Sequence, residues 1–368
     1  MDQHIPLSYN PIDSISLEQV LSQYSDNNHN QLVTDFENKI ASLTGSPYVV
    51  AVNSGTAALH LSLKALQIKK GDEVLTSTFT YVGSVNPILY EHAVPVFIDS
   101  EMITWNMKPE LVEKSIVERS KKPQAILVVH SYGMPANMSA LLDISKKYGV
   151  PILEDAAEAI GSTYKGKHLG TLGDIGILSF NNNKIVTTYG GGAVLTKDES
   201  VYNKIKYWAS QSRENKPYYE HHEVGYSYRM GSINAATGLA SLKDFGKRIE
   251  SSRQKFDYYL TQLHSNGDFL FNPEPDEYYS NRWLSTVRIV KKGFDVEGLI
   301  AVLKKEGVET RPFWNPMHKQ PAFDRFPAYL NGNSDELFHS GICLPSSFSL
   351  TELQQSRVVD LLRKFCRN

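Results

Sequence analysis

One lysine stands out because the residues around it suit covalent chemistry. Lys184 carries the only charge between Asp174 and Lys197, and apolar runs lie on either side, at 175–180 and 193–195. A partly dry setting disfavours the ammonium form of a lysine and makes its amine a better nucleophile, as a Schiff-base lysine requires. An ordinary structural or surface cation is the alternative. We hypothesise that Lys184 carries pyridoxal phosphate.

A second group of residues could hold the phosphate of such a cofactor. Residues 53–60, Asn-Ser-Gly-Thr-Ala-Ala-Leu-His, join a strand pattern to the start of a helix pattern. Free backbone N–H groups at a helix start attract anions, Gly55 permits close approach, and Thr56 adds a hydroxyl. A plain strand-to-helix turn with Ser54 as N-cap is the simpler interpretation of these residues taken alone.

Three further side chains could contact a planar ring. Asp155 ends an apolar strand pattern, where a buried carboxylate needs a cation or a hydrogen-bond donor. A protonated pyridine nitrogen would serve, and the pair would strengthen the ring as an electron sink. Glu158 could hydrogen-bond the phenolic side of the ring, and Tyr81 could stack on its face. The alternatives are a helix N-cap for Asp155, a solvated Glu158 and a core Tyr81.

The remaining candidates are histidines and arginines. The histidines lack metal-ligand spacing, so no metal is expected. Those considered are His130, His221, His222 and His318. Arg229, Arg282 and Arg311 lie among aromatic residues, which suits forked hydrogen bonds to phosphate or stacking on a uracil-type base. A structural ion pair explains any one of these arginines equally well.

The elements that must position these residues alternate along the chain. Short apolar strand patterns alternate with helix-length segments, which predicts an α/β domain with a mostly parallel, seven-stranded sheet. The predicted strands are 48–52, 73–77, 94–98, 125–130, 150–154, 175–180 and 193–196. Ligands bind at the carboxyl ends of such strands, where the candidate residues fall. The pattern then changes, and we predict a large domain at 1–245 and a smaller α+β domain at 246–368.

The composition excludes several classes of function. The chain has 368 residues, 41% of them hydrophobic and 21% charged, with a net charge of -2 and no basic stripe for nucleic acid. The first residues lack a signal-peptide pattern, and no apolar run approaches the ~20 residues that span a bilayer. Only Cys343 and Cys366 occur, which fits a reducing compartment. We expect a cytoplasmic protein without nucleic-acid or membrane partners.

Six motifs in the same order resemble the DegT/StrS family of nucleotide-sugar aminotransferases, which are pyridoxal phosphate enzymes of fold type I. The motifs are 53–60, 78–84, 130–133, 154–159, 179–184 and 187–192. The resemblance implies that Lys184 forms the Schiff base and moves a proton between the cofactor and the sugar carbon. It implies that Asp155 pairs with the ring nitrogen and that Glu158, where many relatives have glutamine, lies near the ring hydroxyl. The implied phosphate holders are Thr56, the backbone of Ala57, and Ser179, and Tyr81 is the implied stacking residue.

The resemblance also implies a homodimer with shared active sites. A residue of segment 225–229 reaches into the neighbouring site, and Ser227 stands where relatives usually have asparagine. Segments in the C-terminal part are similar to those of UDP-4-keto-6-deoxy-N-acetylglucosamine 4-aminotransferases of the bacillosamine pathway. They supply Arg311, His318 and Tyr329 as candidate substrate-binding residues.

The expected reaction moves an amino group from L-glutamate to the keto carbon of a nucleotide-linked 4-keto-6-deoxy sugar, UDP-linked and N-acetylated. A 3-keto-sugar aminotransferase of the same family is one alternative, and a non-catalytic regulatory protein that binds pyridoxal phosphate is another. Lys184 argues against the 3-dehydratase branch, whose members carry histidine at this position.

Overall fold

The computed structural model describes residues 4–23, 29–264, 267–291 and 293–367. Its strands, in chain order, fall within three sheets. They are β1 (Tyr48–Val52), β2 (Glu73–Ser77), β3 (Val94–Ile98), β4 (Ala125–Val129), β5 (Ile152–Asp155), β6 (Thr163–Tyr164), β7 (Lys167–His168), β8 (Ile175–Ser179), β9 (Gly192–Thr196), β10 (Phe269–Leu270), β11 (Tyr278–Tyr279), β12 (Ser285–Ile289), β13 (Arg311–Pro312), β14 (Ala328–Tyr329) and β15 (Gly341–Leu344).

The helices lie between and after these strands. They are α1 (Ser14–Leu21), α2 (His29–Thr44), α3 (Gly55–Ala65), α4 (Asn86–Tyr90), α5 (Pro109–Glu118), α6 (Met138–Tyr148), α7 (Glu199–Ala209), α8 (Ser232–Leu242), α9 (Phe245–Leu263), α10 (Val296–Lys305), α11 (Asn333–Ser340) and α12 (Glu352–Arg367). Short 3-10 turns occur at Val82–Ser84, Ser131–Gly133 and Met317–Lys319. In the described part of the chain, no helix is long and apolar enough to cross a membrane.

The largest sheet has the strand order β1-β9-β8-β5-β4-β2-β3-β14. All seven predicted strands are present in it, and β9 is antiparallel to both of its neighbours, β1 and β8, whereas the other strand pairs are parallel. The prediction of a mostly parallel sheet is therefore confirmed. An eighth strand, β14, comes from the C-terminal part and pairs in parallel with β3. A two-residue strand has too little alternation to be recognised in a sequence.

Hydrophobic cores on both faces hold this sheet in place. Successive residues of β1 point to opposite faces, so that Val49 and Ala51 join one core and Val50 and Val52 the other. Helices α2, α5, α6 and α8 contribute to the first core, and α3 and α7 to the second. Burying each large apolar side chain contributes roughly 1.5–3 kcal/mol, which makes the sheet a rigid support for its strand ends.

The C-terminal part has its own antiparallel sheet, with the order β10-β12-β15-β13. A third core joins it to α9, α10 and α12. Contacts also run to the large sheet, because Met317 and Phe323 pack with Val85 and Phe97. The division into domains at 1–245 and 246–368 stays a prediction.

Candidate active site

Lys184 lies beyond the end of β8, where the carboxyl ends of the parallel strands meet. Its side chain is largely buried, and its Nζ lies 3.3 Å from Oε1 of Glu158. The other carboxylate oxygen of Glu158 accepts a hydrogen bond from the backbone N–H of Tyr132 at 2.8 Å. Burial raises the pKa of Glu158, and the nearby Lys184 opposes this rise. The amine and the carboxylate thus face each other in a largely buried setting.

Asp155 ends β5, the strand next to β8, and its carboxylate is buried. Its Oδ2 accepts from the hydroxyl of Ser84 at 2.7 Å, and its Oδ1 accepts from the N–H of Ala157 at 3.1 Å. Burial raises the pKa of Asp155 above its ordinary value, although the Ser84 hydrogen bond opposes the effect. Among the described residues, no cation forms an ion pair with Asp155. A buried carboxylate in this position fits a protonated ring nitrogen.

The alternative explanations for Asp155 and Glu158 are wrong. No helix begins at Ala156, since the chain after β5 runs in turns, so Asp155 is not a helix N-cap. Glu158 is buried rather than solvated. Its backbone carbonyl accepts a hydrogen bond from Asn281 at 2.8 Å, which fixes the turn against the C-terminal part.

The predicted phosphate holders meet at the N-terminus of α3. Ser54 caps this helix by accepting the N–H of Ala57 at 3.0 Å, so the N-cap interpretation is confirmed. A Cβ on Gly55 would lie 3.1 Å from Cβ of Ser179, which places the end of β8 against the first turn of α3. Thr56 is the second residue of the helix. The hydroxyls and the helix end therefore form a cradle of the kind that binds phosphate.

The 3-10 turn Val82–Ser84 connects this cradle to Asp155. A Cβ on Gly83 would lie 3.5 Å from the hydroxyl oxygen of Thr56, and Ser84 bonds Asp155 directly. Tyr81 precedes the turn and is 63% exposed, so the interpretation as a core residue is wrong. Its ring is available to stack on a ligand between the cradle and the carboxylate.

Ser227 lies near the carboxyl end of β1 and close to the same cradle. Its carbonyl accepts a hydrogen bond from the side chain of Asn53 at 3.2 Å, and its side chain is exposed. The backbone N–H of Asn53 donates to Tyr228 at 2.8 Å, which ties segment 225–229 to the loop before α3.

The three predicted substrate residues lie in the C-terminal part. His318 is held at the end of β2, because its Nδ1 lies 2.7 Å from Oγ1 of Thr78, and burial lowers its pKa. Arg311 is exposed on β13 and pairs with Glu309 at 2.9 Å. Tyr329 belongs to β14 at the edge of the large sheet. In the part of the chain that the structure describes, no hydrogen bond or ion pair joins Arg311 or Tyr329 to Lys184.

Arg282 is a structural residue. It is buried, its Nη1 donates to Oδ1 of Asn272 at 3.0 Å, and its guanidinium lies 3.8 Å from the ring centroid of Phe256. Burial lowers its pKa to about 10. The adjacent Trp283, which the sequence motifs did not single out, contacts Lys184 instead. The sequence signal that could have pointed to Trp283 was the aromatic neighbourhood of Arg282, to which Trp283 belongs.

A buried histidine and glutamate support the end of β5. Nε2 of His130 donates to Oε2 of Glu154 at 3.0 Å, because its Nδ1 accepts from the N–H of Ala136. The N–H groups of Gly170, Leu172 and Gly173 also donate to this carboxylate. Burial would raise the pKa of Glu154, but the bond from His130 and the backbone bonds lower it below its usual value.

Replacing Glu154 by glutamine is expected to destabilise the protein by about 3 kcal/mol at neutral pH, since two buried donors would then face an amide N–H₂ group. Urea unfolding measures this loss. A lowered pKa means that the stabilisation is present above the usual value of 4.5 and is lost as the pH falls below it. The free energies of unfolding of the wild type and Glu154→Gln should therefore converge at acidic pH. Glu113→Gln, at an exposed ion pair with Lys147, is the control and should shift the midpoint far less, because an exposed pair contributes little to stability.

Comparisons with known proteins identify the class. The structure is similar to a DegT DnrJ EryC1 StrS aminotransferase from Brucella abortus, with 25% identity, a TM-score of 0.87, and coverage of 95% of this chain and 94% of that one. It is also similar to DesI, solved in the presence of its TDP-sugar product, with 27% identity, a TM-score of 0.90, and coverage of 99% and 93%. The fold is that of the pyridoxal phosphate-dependent enzymes of fold type I, as predicted.

Residues 15–363 match the DegT/DnrJ/EryC1/StrS aminotransferase family. The chain is 43% identical over 340 residues to EpsN of Bacillus subtilis (strain 168), covering 90% of this chain and 87% of the relative. It is 36% identical over 333 residues to GDP-perosamine synthase of Escherichia coli O157:H7, covering 90% of each. The chain belongs to this family and is a pyridoxal phosphate-dependent aminotransferase.

Proposed function

We propose that the protein moves an amino group from L-glutamate to the keto carbon of a nucleotide-linked 4-keto-6-deoxy sugar, with UDP as the nucleotide and an N-acetyl group on the sugar. The observation that carries the proposal is the amine of Lys184, 3.3 Å from the buried Glu158, beside the strand that ends in Asp155. The GDP-perosamine synthase relative supports a sugar nucleotide as the acceptor. The resemblance of the C-terminal segments supports the UDP-linked sugar.

The residues around Lys184 fit the cofactor. Asp155 would hold the ring nitrogen, Glu158 the ring hydroxyl, and Tyr81 one face of the ring. Thr56, the backbone of Ala57 and Ser179 would hold the phosphate, although the N–H of Ala57 is shared with Ser54. When bound, pyridoxal phosphate supplies an electron sink for the carbon that gains or loses the amine.

The chain's own residues would orient the reaction and move protons. The amine of Lys184 takes the α-proton of glutamate and later delivers a proton to the sugar carbon. The ionised carboxylate of Asp155 keeps the ring nitrogen protonated, and burial of this carboxylate strengthens the pair because the local dielectric is low. The rigid strand ends hold these groups within reach of one another, which lowers the entropy cost of each transfer.

We place substrate recognition on Arg311, His318 and Tyr329 and propose a cytoplasmic homodimer with shared active sites. His318 is the best supported of the three, because it is fixed to Thr78 at the end of β2. In the dimer, Ser227 would reach the phosphate of the neighbouring site. A serine is shorter than the asparagine of relatives, so a water bridge would complete the contact.

A panel of UDP-, GDP- and dTDP-linked 4-keto and 3-keto sugars, incubated with L-glutamate, tests the proposed function. We expect formation of 2-oxoglutarate and the amino sugar with a UDP-linked 4-keto-6-deoxy sugar. Preferential amination of a 3-keto sugar would replace this proposal with the alternative activity. Cofactor binding without amino transfer to any member of the panel would instead favour a regulatory protein.

A further inference from the structure

Trp283 contacts both the amine of Lys184 and the backbone that carries this lysine. The Nζ atom of Lys184 lies 3.8 Å from the centroid of the indole ring. The indole N–H donates to the backbone carbonyl of Asn183 at 2.7 Å. Trp283 is 6% exposed, so its ring is fixed by the surrounding protein.

The buried setting of the amine gives the ring face of Trp283 a physical role, which is to stabilise a positive charge. Glu158 lies 3.3 Å from Nζ, and the field of Lys184 also acts on the carboxylate of Asp155. Both carboxylates are buried, and burial disfavours an ammonium ion unless other groups stabilise it. The face of an indole ring carries negative electrostatic potential and attracts a cation more strongly than a phenyl ring does.

We propose that Trp283 is a catalytic residue whose ring face holds the ammonium of Lys184 each time the lysine carries a proton. The inference rests on the proposed function, in which Lys184 removes a proton from one carbon and returns it to another. The C–H bond breaks as the N–H bond forms, and the electron pair of the C–H bond remains on the substrate side. Trp283 itself forms and breaks no bond.

The indole also acts through its N–H group, and substitutions can separate this role from that of the ring face. The N–H bond to Asn183 orients the lysine loop, whereas the ring face acts on the charge. Trp283→Phe keeps an aromatic face and removes the N–H group. Trp283→Leu removes both and leaves an apolar side chain in the same place.

Competitive acetylation of the cofactor-free, full-length protein tests the effect of the ring face. At about pH 8, where a typical lysine is protonated, Lys184 in Trp283→Leu should be labelled about ten-fold faster than in the wild type, because less of the amine is held as ammonium. Trp283→Phe should lie between the two. The exposed Lys247 in the same samples is the control and should react at the same rate in all three.

Three results would overturn the proposal. The first is equal labelling of Lys184 in the wild type and Trp283→Leu. The second is equal labelling in the leucine and phenylalanine variants, which would assign the effect to the N–H bond alone. The third is a rate difference that persists at about pH 11, where the amines are largely neutral. Such a difference would show that the substitution changes how easily the reagent reaches Lys184.

The test also remains decisive if a variant does not fold or if the proposed function is wrong. If Trp283→Leu does not fold, Trp283→Met, which also removes both the ring face and the N–H group, takes its place. Equal Lys184 rates in the methionine and phenylalanine variants would then overturn the proposal. Labelling requires no turnover, so it is separate from a failure of the proposed function. Absence of amino transfer from glutamate by the wild-type protein would show that failure.

Discussion

Lys184→Arg is expected to lose amino transfer by at least about 10⁴-fold, because the variant lacks the amine that binds the cofactor and moves the proton. Arginine keeps a positive charge beside Glu158 and over Trp283, so the fold around the site is preserved. Single-turnover formation of 2-oxoglutarate from glutamate measures the loss.

The control for this substitution is Lys197→Ala, at an exposed lysine just beyond β9. It should retain wild-type activity. Amino transfer by Lys184→Arg at more than about one hundredth of the wild-type rate would show that another group performs the proton transfer.

Asp155→Asn is the substitution with the next largest expected effect, a loss of about 10²- to 10³-fold in the rate of amino transfer. The amide cannot pair as an anion with the protonated ring nitrogen, so the ring becomes a weaker electron sink. Asp143→Asn, at an exposed position on α6, is the control and should not change the rate. Wild-type kinetics in Asp155→Asn would remove this residue from the mechanism.

The stability of the same variant separates loss of chemistry from loss of fold. Burial raises the pKa of Asp155 above the usual 3.8, so its contribution to stability is present below this value and is lost as the pH rises. At neutral pH the cofactor-free Asp155→Asn protein should therefore be at least as stable as the wild type in urea unfolding. A much less stable variant would mean that lost activity reflects misfolding.

The central part of the site was predictable because it depends on local patterns. Lys184 and Asp155 each follow an apolar strand run, and the ends of parallel strands meet at one edge of a sheet. The motifs before α3 likewise predicted a helix end that could hold phosphate. The structure brings these residues together, and their roles with the cofactor stay predictions.

Other features depend on how distant parts of the chain pack. Trp283 reaches Lys184 from the C-terminal part, so no local pattern connects the two residues. Arg282 suggested ligand recognition, yet Asn272 and Phe256 enclose its guanidinium. The helix start that was the alternative explanation for Asp155 is absent, and the turn found there holds Glu158 by hydrogen bonds with Tyr132 and Asn281.

Borohydride reduction of the purified protein with its cofactor tests the central claim most directly. Borohydride reduces the carbon–nitrogen double bond between the cofactor and its lysine, and peptide mass spectrometry then locates the label. We expect loss of the visible absorption band and a single labelled residue, Lys184. Label on a different lysine, or bound cofactor that leaves no label, would contradict the account.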